Sequence, residues 1–151
     1  MSGFLALSHR RTHPNLPEAT AHLGNVGAGF SRELMARAMV EGLACSVREG
    51  LENIVAQRGS EPDRIILIGG GAKSVAFREV LAQVLGIDIY VPEPAEFVAL
   101  GAARQAAWAL SDEATPPVWA DFEMEKVTAE KHPSIYRHYI NYRNQIYPEA
   151  A

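Results

Sequence analysis

The chain has a single cysteine and no long apolar run, which limits it in both disulfides and membrane spans. Its 151 residues include one cysteine, Cys45, which falls in a helical apolar pattern and is expected to be a buried thiol in a reducing cytosol rather than a disulfide or a nucleophile. No apolar run approaches the roughly 18 residues of a membrane-spanning helix, and the first residues lack the positive start and long apolar core of a secretory signal. We therefore expect a cytoplasmic protein with no membrane partner.

Positive charge is also scarce. Lysine and arginine number 14 against 18 aspartates and glutamates, for a net charge of −4. This balance predicts no nucleic-acid partner, because phosphate binding needs a clustered excess of cations. The histidines and the cysteine show no metal-ligand spacing, so no protein-held metal is predicted. The rest is ordinary for a globular protein, with 48% apolar and 21% charged residues in a chain the size of one domain.

The most informative segment that is present is RIILIGGGAKS, from Arg64 to Ser74. Its apolar run, 65–68, is too short and too β-branched for a helix and lacks alternation, which predicts a strand covered on both faces. The three glycines at 69–71 then allow a sharp turn and a close approach of the backbone to a ligand. The amides from 72 to 74 are expected to open the next helix unpaired, where they would favour an anion.

Two phosphate-binding motifs are excluded by their spacing. A Walker loop needs one glycine directly before Lys-Ser and another five residues earlier, where this chain has Ala72 and Leu67. The dinucleotide pattern G-x-G-x-x-G fails because Ser74 occupies its third glycine position. A plain strand-to-helix turn, with glycines that serve tight packing only, therefore stays open as the alternative to a nucleotide site.

Hydrophobic spacing predicts the order α-β-α-β-α after an irregular segment at 1–29. A long helix over 31–58 carries an apolar stripe every four residues, which is predicted to be its packing face. A helix at 75–85 and a strand at 87–91 follow the first strand, a spacing typical of parallel strands joined by a right-handed crossover. An alanine-rich helix over 95–110 ends the domain. The stripe of the long helix consists of Met35, Met39, Leu43, Val47, Leu51 and Val55.

The remaining chain is predicted to form a polar, proline-bearing linker at 113–130 and an amphipathic helix at 131–148 that docks on the domain. The domain itself, taken as 30–112, is expected to be incomplete, because two strands offer too little sheet for three helices. We therefore predict the C-terminal part of something larger. Its sheet edge and the stripe of the long helix are expected to be partly uncovered, which favours self-association.

Four segments, in the right order along the chain, resemble the C-terminal domain of the FGGY carbohydrate kinases, with xylulokinases as the most similar subgroup. The segments are RTHPNLPEAT (11–20), RIILIGGGAKS (64–74), IDIYVPEPAEFVALGAARQAAWAL (87–110) and HYINYRNQIYPEA (138–150). The resemblance implies an α/β fold, a partial actin-like (ribonuclease-H-like) ATPase domain with parallel strands and packing helices. It also places the chain on the ATP side of a two-domain enzyme.

The FGGY kinases transfer the γ-phosphoryl group of ATP to a sugar hydroxyl, with Mg²⁺ on the phosphates and an aspartate as the base. The residues that the resemblance puts at the nucleotide are Gly70, Gly71 and Ala72, with Gly69, Lys73 and Ser74 beside them. Whether Lys73 touches a phosphate or is merely solvated stays open. The aspartate and most sugar contacts correspond to chain upstream of Met1. ATP and a small sugar, D-xylulose by subgroup, are thus implied as partners of a longer enzyme, and no turnover is expected from this chain alone.

The competing hypothesis is a non-catalytic α/β interaction module. In that case the apolar stripe of the long helix and the tyrosine-rich tail bind a partner chain, and the glycine turn is structural. A homodimer is one assembly that either hypothesis allows.

Overall fold

The structure is a computed structural model that describes residues 17–119, 121–128 and 132–148. Its elements, in chain order, are α1 (Arg32–Arg58), β1 (Ile65–Ile66), a 3₁₀ turn (Gly70–Lys73), α2 (Val75–Leu85), β2 (Ile89–Pro92), α3 (Phe97–Leu110), β3 (Met124–Val127) and α4 (Pro133–Ile146). The predicted irregular segment can be followed only from residue 17, and there it contains no helix. The first six residues of RTHPNLPEAT and the last two of the tail motif lie outside the described residues.

Helix α1 has the ends that its sequence predicts. Ser31 caps the start, where its Oγ accepts a hydrogen bond from the amide of Leu34 at 3.3 Å. Gly59 ends the helix in the left-handed conformation, with φ 77°, and its amide donates to the carbonyl of Val55 at 2.8 Å. The helix is 27 residues long, so it spans roughly 40 Å, and it packs against α2 and α4.

The predicted packing face of α1 is correct near the end of the helix, where Leu51 packs against the core, and wrong for the four stripe residues before it. In the earlier part of the helix the buried positions are small residues, namely Ala38, Gly42, Ala44 and Cys45. Glu49 lies on the same side of the helix as Ala38, Gly42 and Cys45. Small side chains let α2 approach the helix axis closely. Met35, Met39, Leu43 and Val47 are exposed, which agrees with the expectation that this stripe would be left partly uncovered.

The sheet has the order β1-β2-β3. β1 and β2 are parallel, with Ile65 opposite Ile89, which confirms the predicted crossover through α2. β1 was predicted to be covered on both faces, and this is wrong within the described residues. Ile65 packs toward the core, whereas Ile66 and Ile68 are 42% and 48% exposed, because β1 has β2 as its neighbour on one side and a covering layer on one face.

The linker predicted at 113–130 is wrong at 124–127, where β3 pairs antiparallel with β2. Ion pairs fasten this strand, since Lys126 Nζ lies 2.7 Å from Asp88 Oδ2 and Arg78 Nη1 lies 2.8 Å from Glu125 Oε2. The hydrogen bond that Lys126 donates to Asp88 raises the pKa of the lysine, and the negative charge of the Asp88 carboxylate raises it further. The strand extends the two predicted strands into a mixed sheet.

The core lies between α1, α2, β2 and α4. Its fully buried residues include Leu81, Val84, Ile89 and Tyr139, so α4 is built into the core rather than laid over it. Arg143 of α4 forms a buried ion pair with Glu49 of α1. The packing of the helix predicted at 131–148 is thus seen for Pro133–Ile146.

A second set of contacts joins α4 to α1. The ring of Tyr136 lies under the guanidinium of Arg48, 4.1 Å from the ring centroid, and its hydroxyl donates to Glu52 Oε2 at 2.7 Å. Burial raises the pKa of the Tyr136 hydroxyl, and the hydrogen bond to Glu52 raises it further. The hydroxyl therefore stays protonated and remains a donor.

The segment before α1 is held by the far end of α4. The amide of Thr20 donates to Tyr147 Oη at 2.9 Å, and the ring nitrogen of His22 lies 3.1 Å from the same oxygen. A Cβ on Gly24 would lie 2.5 Å from the ring of Tyr142, so the backbone approaches that ring closely only because residue 24 is glycine. The end of the chain thus fixes this early segment in place.

Helix α3 differs from the other three helices in its burial, because none of its side chains is buried by the described residues. Val98 and Leu110 are 86% and 91% exposed. It is tethered at its ends, where Trp108 Nε1 donates to the carbonyl of Glu113 at 2.9 Å and Phe97 meets Phe122 edge to face at 5.1 Å. In the part of the chain that the structure describes, no helix is long and apolar enough to cross a membrane.

Candidate nucleotide site

A cavity of about 390 Å³ opens at the carboxyl end of β1, between the glycine turn and the loop that follows β2. Ligands of α/β proteins characteristically bind beyond the carboxyl ends of parallel strands. The lining residues are Leu67, Ile68, Gly69, Gly70, Ala72, Lys73, Arg78, Val91, Pro92, Pro94, Ala95, Glu96 and Phe97. Four of the six residues that the sequence puts at a nucleotide therefore line one cavity, while Gly71 and Ser74 lie in the same turn outside its wall.

Gly69 sets the direction of the turn. Its φ of 90° and ψ of −170° fall in a region that essentially only glycine occupies. At Gly70 an added Cβ would meet nothing within 4 Å, so the main chain there is bare toward open space. At Gly71 a Cβ would lie 3.4 Å from the ring of Phe77, so this glycine faces α2. The three glycines thus have three different roles.

The amides of the turn are not all unpaired, as the sequence suggested. Residues Gly70–Lys73 form a 3₁₀ turn in which the amide of Ala72 donates to the carbonyl of Gly69 and that of Ser74 donates to the carbonyl of Gly71, both at 3.1 Å. A tight turn satisfies its own donors before a helix can begin. The prediction of unpaired amides is therefore wrong for Ala72 and Ser74, whereas the predicted helix at 75–85 is confirmed.

Ser74 caps the start of α2 and does not line the cavity. Its Oγ accepts from the amide of Phe77 at 3.3 Å, and its carbonyl accepts from the amide of Arg78 at 3.0 Å. These are the contacts of an N-cap. Ser74 consequently fixes where α2 begins relative to the turn.

Two cations lie at the cavity, and they differ in their partners. Lys73 is exposed and has no ion-pair partner among the described residues, so its charge is available to an anion. Arg78 is occupied, because its Nε donates to the carbonyl of Ala72 and its Nη1 pairs with Glu125 at 2.8 Å. Sequence reasoning missed Arg78. Its carboxylate partner is 47 positions away, in a segment that looked like a linker.

The opposite wall comes from the loop after β2 and the start of α3. Pro92, Pro94 and Phe97 present flat apolar surface there, while the turn presents main chain. The apolar wall and the bare backbone edge suit a flat ring, and the unpaired cation suits an anionic group, although the carboxylate of Glu96 also lines the cavity. No group of three or more metal-ligating side chains lies in the described parts of the chain.

Comparison with known proteins identifies relatives with this architecture. Residues 4–110 match the FGGY family of carbohydrate kinases, C-terminal domain. A xylulose kinase of Haemophilus influenzae is 31% identical over 144 residues, which cover 89% of this chain and 29% of that protein. A xylulose kinase of Escherichia coli is 33% identical over 108 residues, or 71% of this chain and 22% of that protein.

Solved structures give the same assignment. The xylulose kinase of Bifidobacterium adolescentis superimposes with a TM-score of 0.76 at 42% identity, covering 94% of this chain and 28% of that one. Glycerol kinase of Plasmodium falciparum, solved with ADP, shares the fold at a TM-score of 0.66 and 15% identity, covering 99% of this chain and 31% of that one. The chain thus spans less than a third of these relatives, and the expected actin-like α/β fold is confirmed. By sequence and by fold, the chain belongs to the FGGY family of carbohydrate kinases.

Proposed function

We propose that this chain supplies the ATP-binding side of a xylulokinase-like sugar kinase. In the complete enzyme the γ-phosphoryl group of ATP passes to a sugar hydroxyl, with D-xylulose as acceptor and xylulose 5-phosphate as product. The observation that carries the proposal is the cavity beside the glycine turn, where Gly69, Gly70, Ala72 and Lys73 come together. A cytoplasmic location and the capacity to form a homodimer are parts of the same proposal.

The cavity fits a nucleotide in three respects. Gly70 leaves the main chain open, so a ring or ribose can lie against the backbone. Pro92, Pro94 and Phe97 offer an apolar surface on the other side. Lys73 supplies a charge that no described residue neutralises, which suits a phosphate. Gly71 and Ser74 act indirectly, by shaping the turn and starting α2.

Mg²⁺ enters this proposal through the phosphates. The described residues offer no cluster of metal-ligating side chains, and Mg²⁺ is commonly held by substrate phosphates and water with one or two carboxylates. When bound, it would neutralise charge on the transferred group. The catalytic base is proposed to come from outside this chain.

The binding site can be tested by replacing Gly70 with valine. The new side chain would enter open space instead of meeting protein atoms, so we expect ADP affinity to fall by at least about tenfold with little change in melting temperature. Calorimetric titration with ADP measures the first quantity, and thermal unfolding followed by circular dichroism measures the second.

Gly27→Val is the matched control, because an added Cβ at Gly27 also meets nothing within 4 Å and that residue is not part of the cavity wall. Its ADP affinity should equal that of the unmodified chain. Equal affinities for all three proteins would place the ligand elsewhere and end the nucleotide proposal.

The isolated chain is expected to show no sugar-kinase turnover. By family resemblance the base and most sugar contacts are not in these residues, and phosphoryl transfer depends on aligning both substrates. A coupled assay with ATP, Mg²⁺ and D-xylulose measures the rate. ADP release that requires the sugar would contradict this expectation.

A second candidate function is a non-catalytic interaction module, which the exposure of α3 favours. A helix that is apolar nearly all round and buries no side chain against the described residues is a surface for a partner. The ADP titration separates the two candidates, because a module with a purely structural turn would not bind the nucleotide.

A further inference from the structure

The glycine turn is connected to the sheet through one side chain. Arg78, in the second turn of α2, donates from Nε to the carbonyl of Ala72 and from Nη1 to Glu125 Oε2 at 2.8 Å. Ala72 is the buried residue of the 3₁₀ turn, and Glu125 lies on β3 opposite Val91 of β2. The guanidinium therefore links the turn to β3, the strand that pairs with β2, and it is the end of β2 that leads into the opposite wall of the cavity.

We propose that Arg78 is the positioning residue of this site, holding the glycine turn at a fixed distance from the end of β2. The inference rests on the proposed nucleotide site and adds to it the device that sets its width. The two hydrogen bonds leave from different nitrogens of one rigid planar group, so the turn and β3 cannot move independently. A lysine, with a single nitrogen, cannot reproduce that geometry.

The burial of Arg78 and its pairing with Glu125, a carboxylate that is itself 66% exposed, support a positioning role over a direct contact with ligand. The Arg78 side chain is 16% exposed and its charge is already paired with a carboxylate. Lys73, by contrast, has no such partner among the described residues and lies on the same cavity. Lys73 is therefore better suited to bind a phosphate, and Arg78 is better suited to hold the glycine turn in place.

The test compares Arg78→Met with Arg37→Met, an arginine that also makes two side-chain contacts, to Glu41 and to Gln83, but lies away from the cavity. Amide hydrogen exchange of the ligand-free chain reports on the turn through Ala72 and Ser74, whose amides are bonded within it. We expect Arg78→Met to speed both by at least about tenfold and to weaken ADP and adenosine by a similar factor, and Arg37→Met to change neither.

The possible results distinguish a positioning role of Arg78 from a direct contact with phosphate, and they test the positioning role separately from the nucleotide proposal. Unchanged exchange at Ala72 and Ser74 in Arg78→Met would overturn the positioning role, and so would a loss confined to ADP, which would mean that the guanidinium contacts phosphate. If the unmodified chain binds no ADP while exchange responds as expected, the nucleotide proposal fails and the positioning role stands. Should Arg78→Met not fold, Arg78→Lys and Glu125→Gln give the same readout, with at least about threefold faster exchange expected.

Discussion

Replacing Arg143 with methionine is expected to lower the free energy of unfolding by about 3–5 kcal/mol, because it leaves the carboxylate of Glu49 buried without its guanidinium. Both side chains are almost completely inaccessible to water, with exposures of 6% and 7%. A charge in such a place depends on its partner, since water cannot replace it. Urea unfolding followed by far-ultraviolet circular dichroism measures the loss.

The control for this prediction is Arg37→Met, which removes a surface ion pair with Glu41 and should cost under about 1 kcal/mol. A double variant, Glu49→Leu with Arg143→Met, removes both buried charges and should recover much of the stability lost by the single change. Equal losses for Arg143→Met and Arg37→Met would show that α4 does not bury this pair in solution.

Tyr139→Ala is expected to have a similar effect, a loss of about 3–5 kcal/mol, because it empties an aromatic volume in the centre of the core. Tyr139 is 2% exposed and is the largest of the fully buried side chains. A large-to-small change loses the transfer free energy of the ring and leaves a cavity that the neighbouring helices fill only in part. Thermal and urea unfolding of the same samples report the change.

Arg137→Ala serves as the comparison, since Arg137 is exposed on the same helix and carries no core contact in the described chain. Its stability should stay within about 0.5 kcal/mol of the unmodified protein. If Tyr139→Ala melted like Arg137→Ala, Tyr139 would not belong to the core of the protein in solution, and the packing of α4 described above would be contradicted.

Sequence analysis correctly predicted those elements whose ends are defined by residues close to them in the sequence. The bounds of α2 match the prediction because a serine cap and a terminal glycine define its ends, and α1 is bounded in the same way. The glycine turn was predicted because three glycines after an apolar run allow the backbone to turn sharply. Four of the six residues that the family resemblance puts at the nucleotide line one cavity in the structure.

The features that were missed depend on distant partners. β3 carries Glu125 and Lys126 among few apolar residues, so it reads as linker until Arg78 and Asp88 are placed beside it. The small-residue part of the packed face of α1 was missed because alanine, glycine and cysteine give a weaker hydrophobic signal than the neighbouring methionines. Periodicity locates a helix face only by hydrophobicity, whereas close packing of two helices selects small residues.

The hydrogen bond between Thr20 and Tyr147 has a consequence for biosynthesis. The two residues are 127 positions apart, so this contact cannot form until almost the whole described chain has been synthesised. Only after α4 has left the ribosome can that segment settle against Tyr142 and Tyr147.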